Sequence, residues 1–363
     1  MNKRLRVAVV GCGQIADGHV EEIGKIEQAE LVAVCDLEPI LAEQLARRYQ
    51  VNAWYDDFAR LLTEQSPDVV HICTPPASHK SILEQAVAAG AHVYVEKPFA
   101  IHYDDAKAMI DCAESAGKLV TIGHNSHLDP AAVRMRKIIS SGSIGEVVHV
   151  ESWFGYNLSG SFGKLIYSTP DHWVHQLPGG LLQNNINHLM HKLTEFVLDD
   201  SPTVDALAWR SDVSRHYGDR RDNMADELRL NIRGEKVTGS GVFTTRAGPV
   251  GHFQHIYGTQ GQIRVDYNTR AVVLDRGVVL PSAIGRLLAG VSTAASQTGS
   301  AIRNLWHFTT NRYHYFAGMQ ALIRQFYQAI AEGREPPISH QEILRITRLL
   351  DEVFEQASGG SSR

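Results

Sequence analysis

Short apolar runs alternate with amphipathic segments over the first 123 residues, and no other feature constrains the fold as strongly. The apolar runs predict strands, and the segments between them have the spacing of helices. Strands that alternate with helices are joined by crossovers, so they lie parallel in a sheet whose two faces are both covered. The predicted strands are 4–10, 31–36, 69–73, 92–96 and 119–123, and the predicted helices are 15–26, 39–49, 79–89 and 104–116.

The pattern changes after Gly123. Strands joined by short turns, such as 258–261, predict an antiparallel sheet, and helices at 181–198, 313–331 and 341–356 would cover one of its faces. We therefore predict an α/β Rossmann domain at 1–123, an α+β domain with a largely antiparallel, open-faced sheet at 124–357 and a disordered tail at 358–363. Outside the first domain, a helix is predicted at 129–140 and strands at 147–154, 204–209, 227–232, 237–244, 253–259, 262–267 and 271–274.

Composition narrows the class of protein. The 35 basic and 40 acidic residues give a net charge of -5, whereas nucleic-acid binders normally carry a basic excess. No apolar run is long enough to cross a bilayer. The four cysteines form no C-x-x-C pair, and we expect reduced thiols and a cytoplasmic protein.

A glycine-rich turn follows the first predicted strand. Gly11 and Gly13 permit a tight turn and the close approach of a pyrophosphate, and Ala16 takes the place of a third glycine. The helix that follows would direct the backbone amides of Gln14 and Ile15 at the phosphates. These residues predict a dinucleotide-binding site.

Asp36 ends the second predicted strand, where a carboxylate can accept hydrogen bonds from the adenosine ribose. It would also repel a 2′-phosphate, and Leu37 and Glu38 supply no arginine to hold one. NAD is therefore predicted in preference to NADP. An alternative is that Asp36 only caps the helix beginning at Pro39.

Two further loops follow predicted strands. Thr74, Pro75 and His79 belong to a stiff loop where cofactor contacts are expected, although a rigid connector, with Ser78 as a helix cap, is the alternative. In the second loop, Lys97 follows Glu96 and precedes Pro98, which allows a cis peptide bond. A lysine at this edge of the sheet, beside a nicotinamide ring, is suited to proton transfer. A surface lysine is the alternative.

Together these motifs resemble the glucose-fructose oxidoreductase/inositol dehydrogenase/MocA (Gfo/Idh/MocA) family. The segments that carry the resemblance include Gly11–Ala16 with His19, Asp36, 74–79, Glu96-Lys97-Pro98, 123–125, 257–261 and 338–339. The resemblance implies a two-domain NAD(P)-dependent oxidoreductase that acts on sugars, cyclitols or their derivatives. It also implies a homo-oligomer, a dimer or a tetramer, with subunit contacts on the open face of the second sheet. Glu96 and Asn125 are then expected to contact the cofactor.

The family places Asp and His four residues apart on a helix after a Gly-Gly pair. Here the matching positions are Asn184 and His188, after Gly179-Gly180. On one helix both would share a face. His188 can act as a base near neutral pH, whereas Asn184 can only orient a hydroxyl group. We therefore predict Lys97 and His188 as the acid/base pair, with Asn184 as a substrate contact.

His172 and Trp173 are predicted to line a substrate pocket, because an indole stacks on a sugar face. Asp171 and four histidines, at 172, 175, 188 and 191, also invite a metal interpretation. No H-E-x-x-H motif supports it, and alcohol oxidation in this family needs no metal. No metal is predicted.

Residues 276–331 contain no Asp or Glu but several arginines, which the resemblance does not explain. The middle part, 283–308, is predicted to be an inserted loop or a pair of short helices. A lid or dimer contact is one interpretation. The alternatives are a site for the diphosphate of a nucleotide-sugar and a surface that lies on an anionic membrane.

The predicted function is an NAD-dependent oxidoreductase that transfers hydride between nicotinamide and a secondary hydroxyl of a sugar, cyclitol or nucleotide-sugar. Lys97 and His188 would equally serve a reductase of a keto-sugar or an imine. Asn184 leaves a third possibility open, a non-enzymatic NAD-sensing binding protein of the same fold.

Overall fold

The computed structural model describes residues 4–158, 160–169, 171–211, 224–276, 282–310 and 314–359. The chain forms two compact units. The first extends to Asn125 and also includes Gly318–Arg348, and the other described residues form the second. The predicted boundary after residue 123 is close to the end of the first segment. The sequence did not predict that the chain returns to the first unit near its end.

The first unit contains a six-stranded parallel sheet with the order β3-β2-β1-β4-β5-β6. This is the doubly wound arrangement, in which the strand order reverses between β1 and β4. The predicted α/β parallel fold is confirmed. The strands are β1 (Leu5–Val10), β2 (Ala29–Cys35), β3 (Trp54–Tyr55), β4 (Val69–Ile72), β5 (His92–Val95) and β6 (Val120–Ile122).

Helices connect these strands: α1 (Gln14–Gly24), α2 (Pro39–Tyr49), α3 (Phe58–Gln65), α4 (His79–Ala88) and α5 (Tyr103–Ser115). The sequence analysis missed β3 and α3. A strand of two residues is too short to show a periodic pattern. The start of α3 had a readable signal, because the Asp57 side chain accepts a hydrogen bond from the Arg60 amide and caps the helix.

The second unit contains a seven-stranded sheet with the order β13-β12-β11-β7-β10-β9-β8. Its neighbouring strands are antiparallel except for β7 and β10, so the predicted sheet type is confirmed. Val150, Phe243 and Ile256 lie on its buried face. The strands are β7 (Val147–Gly155), β8 (Thr203–Trp209), β9 (Glu227–Arg233), β10 (Thr238–Thr244), β11 (His252–Gly258), β12 (Gln262–Asp266) and β13 (Ala271–Asp275).

The helix predicted at 181–198 is divided in two. The second unit has α6 (Pro130–Ser140), α7 (Ser161–Ser168), α8 (Gly180–Asn185) and α9 (Asn187–Thr194). The Nδ2 groups of Asn185 and Asn187 donate to the carbonyls of Leu181 and Gln183, at 2.9 and 3.2 Å. Asparagine side chains that bond nearby carbonyls compete with the backbone ladder, which explains the break at Ile186.

The segment predicted as an inserted loop or two short helices is one helix, α10 (Ser282–Thr309). Its polarity is reversed: Ser300 is fully buried, whereas Ile302, Leu305, Trp306 and Phe308 are 64–71% exposed. The Ser300 hydroxyl accepts a hydrogen bond from the backbone amide of Val272, with 3.1 Å between the oxygen and the nitrogen, and this bond joins α10 to β13. No helix in the described ranges is both long and apolar enough to cross a bilayer.

The chain ends with α11 (Ala317–Glu332) and α12 (His340–Gly359). Phe326 and Tyr327 of α11 are buried in the first unit, and Arg348 of α12 donates to the Tyr103 hydroxyl at 2.7 Å. The predicted start at residue 313 lies outside the described residues. The predicted disordered tail also begins too early, since α12 extends to Gly359, and residues 360–363 lie outside the described chain.

Candidate active site

The predicted cofactor residues of the first unit lie at or near the carboxyl ends of parallel strands. In sheets of this kind, ligands bind at that edge, beside the point where the strand order reverses. Gly11 and Gly13 follow β1, Asp36 follows β2, Thr74 and Pro75 follow β4, Glu96 and Lys97 follow β5, and Asn125 follows β6. The fold therefore gathers residues that are up to 114 positions apart (Gly11 and Asn125) at one edge.

The two glycines of the first turn have different reasons to be glycine. Gly11 has φ +90°, and a Cβ there would lie 2.7 Å from backbone atoms of Cys73 and Thr74. Apart from its neighbours in sequence, no atom of the described residues lies within 4 Å of a Cβ built on Gly13. Gly13 also precedes α1 without a side-chain cap, so the first amides of the helix, from Gln14 onward, remain able to bind an anion.

The Asp36 carboxylate is held at this edge by two backbone amides. Oδ2 accepts from Cys12 N at 2.7 Å and Oδ1 from Glu38 N at 2.9 Å. Each oxygen keeps a second acceptor position for a hydroxyl group. Asp36 does not cap α2, because the cap position is Glu38, and the alternative interpretation of Asp36 is wrong.

Sequence reasoning missed the apolar surface beside Asp36. Leu37 is 88% exposed and Ile40 is 60% exposed. Exposed apolar side chains next to a polar anchor suit a flat aromatic ligand. The signal was present in the sequence as Leu37 directly after the strand-ending aspartate.

The 74–79 loop is held by its own side chains. The Ser78 hydroxyl donates to Thr74 Oγ1 at 2.8 Å, and Ser78 provides no side-chain cap for α4, contrary to expectation. His79 is buried, and its ring nitrogens lie 2.8 Å from the Thr74 carbonyl and 3.1 Å from the Phe99 carbonyl. His79 therefore positions the loop, and a direct contact of His79 with the cofactor stays a prediction.

Lys97 is half-buried and forms a cis peptide bond with Pro98. Burial lowers the pKa of Lys97, and the charge of Glu96 acts in the opposite direction. A lysine whose pKa is lowered is closer to the range in which it can exchange a proton near neutral pH.

Glu96 is buried beside Lys97. Its Oε1 accepts from His19 Nε2 at 3.0 Å, and its Oε2 accepts from the Lys97 backbone amide at 3.2 Å. Burial alone would raise the pKa of Glu96, but the hydrogen bond and charge of His19 and the charge of Lys97 lower it. A Cβ at Gly123 would lie 2.5 Å from Oε1, so the carboxylate packs directly over that glycine.

Asn125 is oriented by a buried tyrosine. The Tyr94 hydroxyl donates to Asn125 Oδ1 at 3.0 Å, and Tyr94 is fully buried on β5. This bond leaves the Nδ2 group of Asn125 as a donor at the sheet edge.

In the second unit, His188 is half-buried, whereas its neighbours from 180 to 194 are buried. Its ring lies 5.3 Å from that of Phe154 and 6.4 Å from that of His252. Asn184 is 4% exposed, and no hydrogen bond to its side chain is seen among the described residues. A buried amide that lacks a protein partner is uncommon and suits a ligand contact.

His172 and Trp173 stack on each other, with ring centroids 5.5 Å apart. The His172 ring accepts from the Val174 amide, and Trp173 packs against the buried cluster of Leu158, Ile166, Val174 and Leu181. Their substrate role stays a prediction. In the described chain, no three His, Cys, Asp or Glu side chains are grouped in a way that could hold a metal ion.

Comparisons with known proteins find relatives of the first unit. Residues 5–124 match the family model GFO_IDH_MocA, described as an oxidoreductase family with an NAD-binding Rossmann fold. The chain is 35% identical over 144 residues to the D-glucoside 3-dehydrogenase of Escherichia coli (strain K12), which covers 39% of this chain and 41% of that protein. The chain thus spans less than half the length of the curated relatives that it matches.

Solved structures match the fold along nearly the whole chain. Levoglucosan dehydrogenase, in complex with NADH and levoglucosan, has a TM-score of 0.78 at 19% identity and covers 98% of both chains. The WlbA dehydrogenase of Bordetella pertussis, in complex with NADH and UDP-GlcNAcA, has a TM-score of 0.77 at 19% identity over 99% of this chain and 97% of that one. At these identities the likeness shows the fold. Residues 5–124 thus resemble the NAD-binding Rossmann domain of the Gfo/Idh/MocA oxidoreductase family.

Proposed function

We propose that the protein is an NAD-dependent dehydrogenase that oxidises a secondary hydroxyl of a sugar, cyclitol or nucleotide-sugar. The observation that carries this proposal is Lys97 beside the buried Glu96, at the sheet edge where the glycine turn, Asp36 and Asn125 also lie. The named activity of the E. coli relative, a glucoside dehydrogenase, supports the class of substrate.

The residues at the edge fit a dinucleotide. The uncapped start of α1 and the open space at Gly13 suit the pyrophosphate, and Asp36 suits the ribose hydroxyls. The exposed Leu37 suits the adenine, and the Asn125 amide suits the nicotinamide end. When bound, NAD supplies the acceptor for the hydride. The Asp36 carboxylate disfavours NADP, because it would repel a 2′-phosphate.

In the proposed reaction, Lys97 and His188 form the acid/base pair. The lowered pKa of Lys97 favours exchange of a proton with the substrate hydroxyl, and the half-buried His188 ring serves as a second proton acceptor. Asn184 orients a hydroxyl through its amide, and His172 and Trp173 line the sugar site. The same residues serve the reverse reaction, reduction of a keto-sugar or an imine, and the products of the screen below decide the direction.

The test is NADH formation over a panel of sugars, cyclitols and nucleotide-sugars, with NADP as the comparison cofactor. On the substrate found, Lys97→Ala and His188→Ala are each expected to lower turnover by at least ~100-fold while NAD affinity is retained. Near-normal turnover in both variants would reject the pair. NAD binding without turnover of any substrate would favour the sensor interpretation suggested by Asn184.

We further propose a homo-oligomer, because large apolar side chains remain exposed on the second unit. They lie on α10, with Trp306 and Phe308, and on the outer face of the sheet, with Leu207 and Phe253. Exposed apolar patches of this kind mark interaction surfaces. Light scattering on the wild type and on Trp306→Glu tests the proposal, with a smaller assembly expected for the variant. A monomeric wild type that sediments with anionic vesicles would instead favour the membrane-surface alternative.

A further inference from the structure

A chain of hydrogen bonds crosses the interior of the first unit from Glu96 to α11. Glu96 Oε1 lies 3.0 Å from His19 Nε2, His19 Nδ1 lies 2.8 Å from His71 Nδ1, and His71 Nε2 lies 2.8 Å from the Tyr327 hydroxyl. These four residues, here called the relay, are each at most 5% exposed. They come from the loop after β5, from α1, from β4 and from α11.

Each bond of the relay holds one proton, which restricts the tautomers. A carboxylate only accepts, so His19 must donate through Nε2. If His19 is neutral, its Nδ1 accepts a hydrogen bond from His71 Nδ1. His71 Nε2 then accepts a hydrogen bond from the Tyr327 hydroxyl group. Burial lowers the pKa of His71 well below its usual value and keeps this ring neutral. Tyr94 stacks on the His71 ring at 4.7 Å and holds it in place.

The groups that surround Glu96 leave it with few charged neighbours. Burial raises the pKa of Cys73 and Tyr94 and lowers that of His79, so all three are neutral near pH 7. Two groups beside Glu96 can carry a charge: Lys97, and His19 when it is protonated. The state of the Glu96 carboxylate therefore bears directly on the Lys97 ammonium.

We propose that the relay keeps Glu96 charged and oriented next to Lys97, which makes His71 and Tyr327 positioning residues for the Lys97 ammonium group. Without a donor to its Nδ1, His19 is free to adopt the tautomer that turns a lone pair toward Glu96. The carboxylate would then favour its protonated form, and the ammonium would lose the charge that stabilises it. Only the catalytic consequence of this inference rests on the proposed function. The relay itself does not.

The experiment measures the titration of Lys97 directly, in the full chain without substrate. Lysines are reductively methylated with ¹³C, and the Lys97 resonance is assigned from Lys97→Arg. Glu96→Gln is expected to lower the pKa of Lys97 by about one unit, because an opposite charge nearby is lost. His71→Phe, which retains the stack on Tyr94, should lower the pKa of Lys97 by a smaller amount than Glu96→Gln. Tyr327→Phe should lower it by the smallest amount of the three.

Tyr55→Phe is the matched control. Tyr55 is also a buried tyrosine of the first unit, and its hydroxyl donates to Glu64 at 3.0 Å, outside the relay. The Tyr55→Phe variant should leave the titration of Lys97 unchanged. Proton-coupled ¹⁵N spectra give a second readout, with the Nε2–H tautomer of His19 and the Nδ1–H tautomer of His71 expected in the wild type.

Lys97 titrating alike in the wild type and in folded His71→Phe and Tyr327→Phe would overturn the inference, as would an equal shift in Tyr55→Phe. If His71→Phe does not fold, Tyr327→Phe decides alone, because it removes only a hydroxyl. If a substrate is found, the acid limb of kcat should move to lower pH together with the Lys97 titration. If none is found, the proposed function fails, while the titration still tests the relay.

Discussion

The two units support their chemical groups in different ways. In the first unit, Asp36 and Lys97 follow buried parallel strands. Neighbouring backbone amides and side chains hold the carboxylates of Asp36 and Glu96 in place. In the second unit, Asn184 and His188 lie on either side of a break between two short helices. The first arrangement follows from strand order alone. The second depends on side-chain competition for backbone carbonyls, so single substitutions should affect the two regions differently.

The largest expected effect separates the two glycines of the turn after β1, Gly11 and Gly13. Gly11→Ala should destabilise the protein by about 3 kcal/mol or more, because it combines a left-handed φ with a clash against backbone. Gly13→Ala should change the unfolding free energy by less than ~0.5 kcal/mol, yet weaken NAD binding by roughly 10-fold by filling the pyrophosphate space. Denaturant unfolding and NAD titration measure both. Equal stability of the two variants would contradict the assignment.

The second unit also buries a lysine side chain. Lys192 is fully buried on α9, contacts His252 and lies 4.1 Å from the Tyr267 ring centre. Burial lowers its pKa well below the usual value, so it binds its proton less tightly in the folded than in the unfolded chain. Lowering the pH from the unfolded pKa, about 10.4, therefore costs stability.

Lys192→Met should accordingly raise the unfolding free energy at pH 7 by about 1–2 kcal/mol. Its advantage over the wild type should shrink as the pH rises toward the unfolded pKa, about 10.4, above which the lysine is neutral in both states. Denaturant unfolding at pH 6, 7 and 9 checks the trend. An advantage that stays constant from pH 6 to pH 9 would show that the buried lysine is charged in the folded protein over this range.

Neighbouring asparagines should separate binding from stability. Asn185→Ala removes a bond to the Leu181 carbonyl and should destabilise the protein by about 1 kcal/mol. Asn184→Ala removes no bond within the described protein, so stability should change little, while KM for the substrate rises by roughly 10-fold. Thermal unfolding and steady-state kinetics measure the pair. An unchanged KM in Asn184→Ala would remove this residue from the site.

The smallest effect is expected at the adenine end of the first unit. Leu37→Ala should raise KM for NAD by about 3-fold, since only an exposed side chain is shortened, and should leave the unfolding temperature unchanged. Leu198→Ala, on a 63% exposed leucine of the second unit, is the control and should change neither quantity. An equal effect in both variants would refute an adenine contact at Leu37.

Sequence reasoning was reliable where the signal is local. The glycine turn, Asp36 and Glu96-Lys97-Pro98 each follow an apolar run, and strand ends meet at one edge whatever the loops do. It failed at α10, where small and polar residues such as Ser300 face β13 and the large apolar ones face outward. A helix with this reversed polarity is easily predicted as a loop, because the buried face of a helix is normally inferred from the periodicity of its apolar residues.

Sequence reasoning also missed the relay. His71 lies within an apolar strand and Tyr327 within an amphipathic helix, 256 residues apart. Neither has a local motif, and their bond follows only from the return of 318–348 to the first unit. The position of Lys97 at the sheet edge could thus be predicted from neighbouring residues, whereas the hydrogen bonds behind Glu96 required the tertiary structure.

The return of the chain has a consequence for synthesis. Met319, Leu322, Ile323 and Phe326 belong to the buried core of the first unit, yet they are translated after nearly the whole second unit. A nascent chain that ends near residue 125 therefore has the glycine turn and the six strands but lacks one wall of its interior. The first unit therefore completes its buried interior only after residues 318–348 have been synthesised.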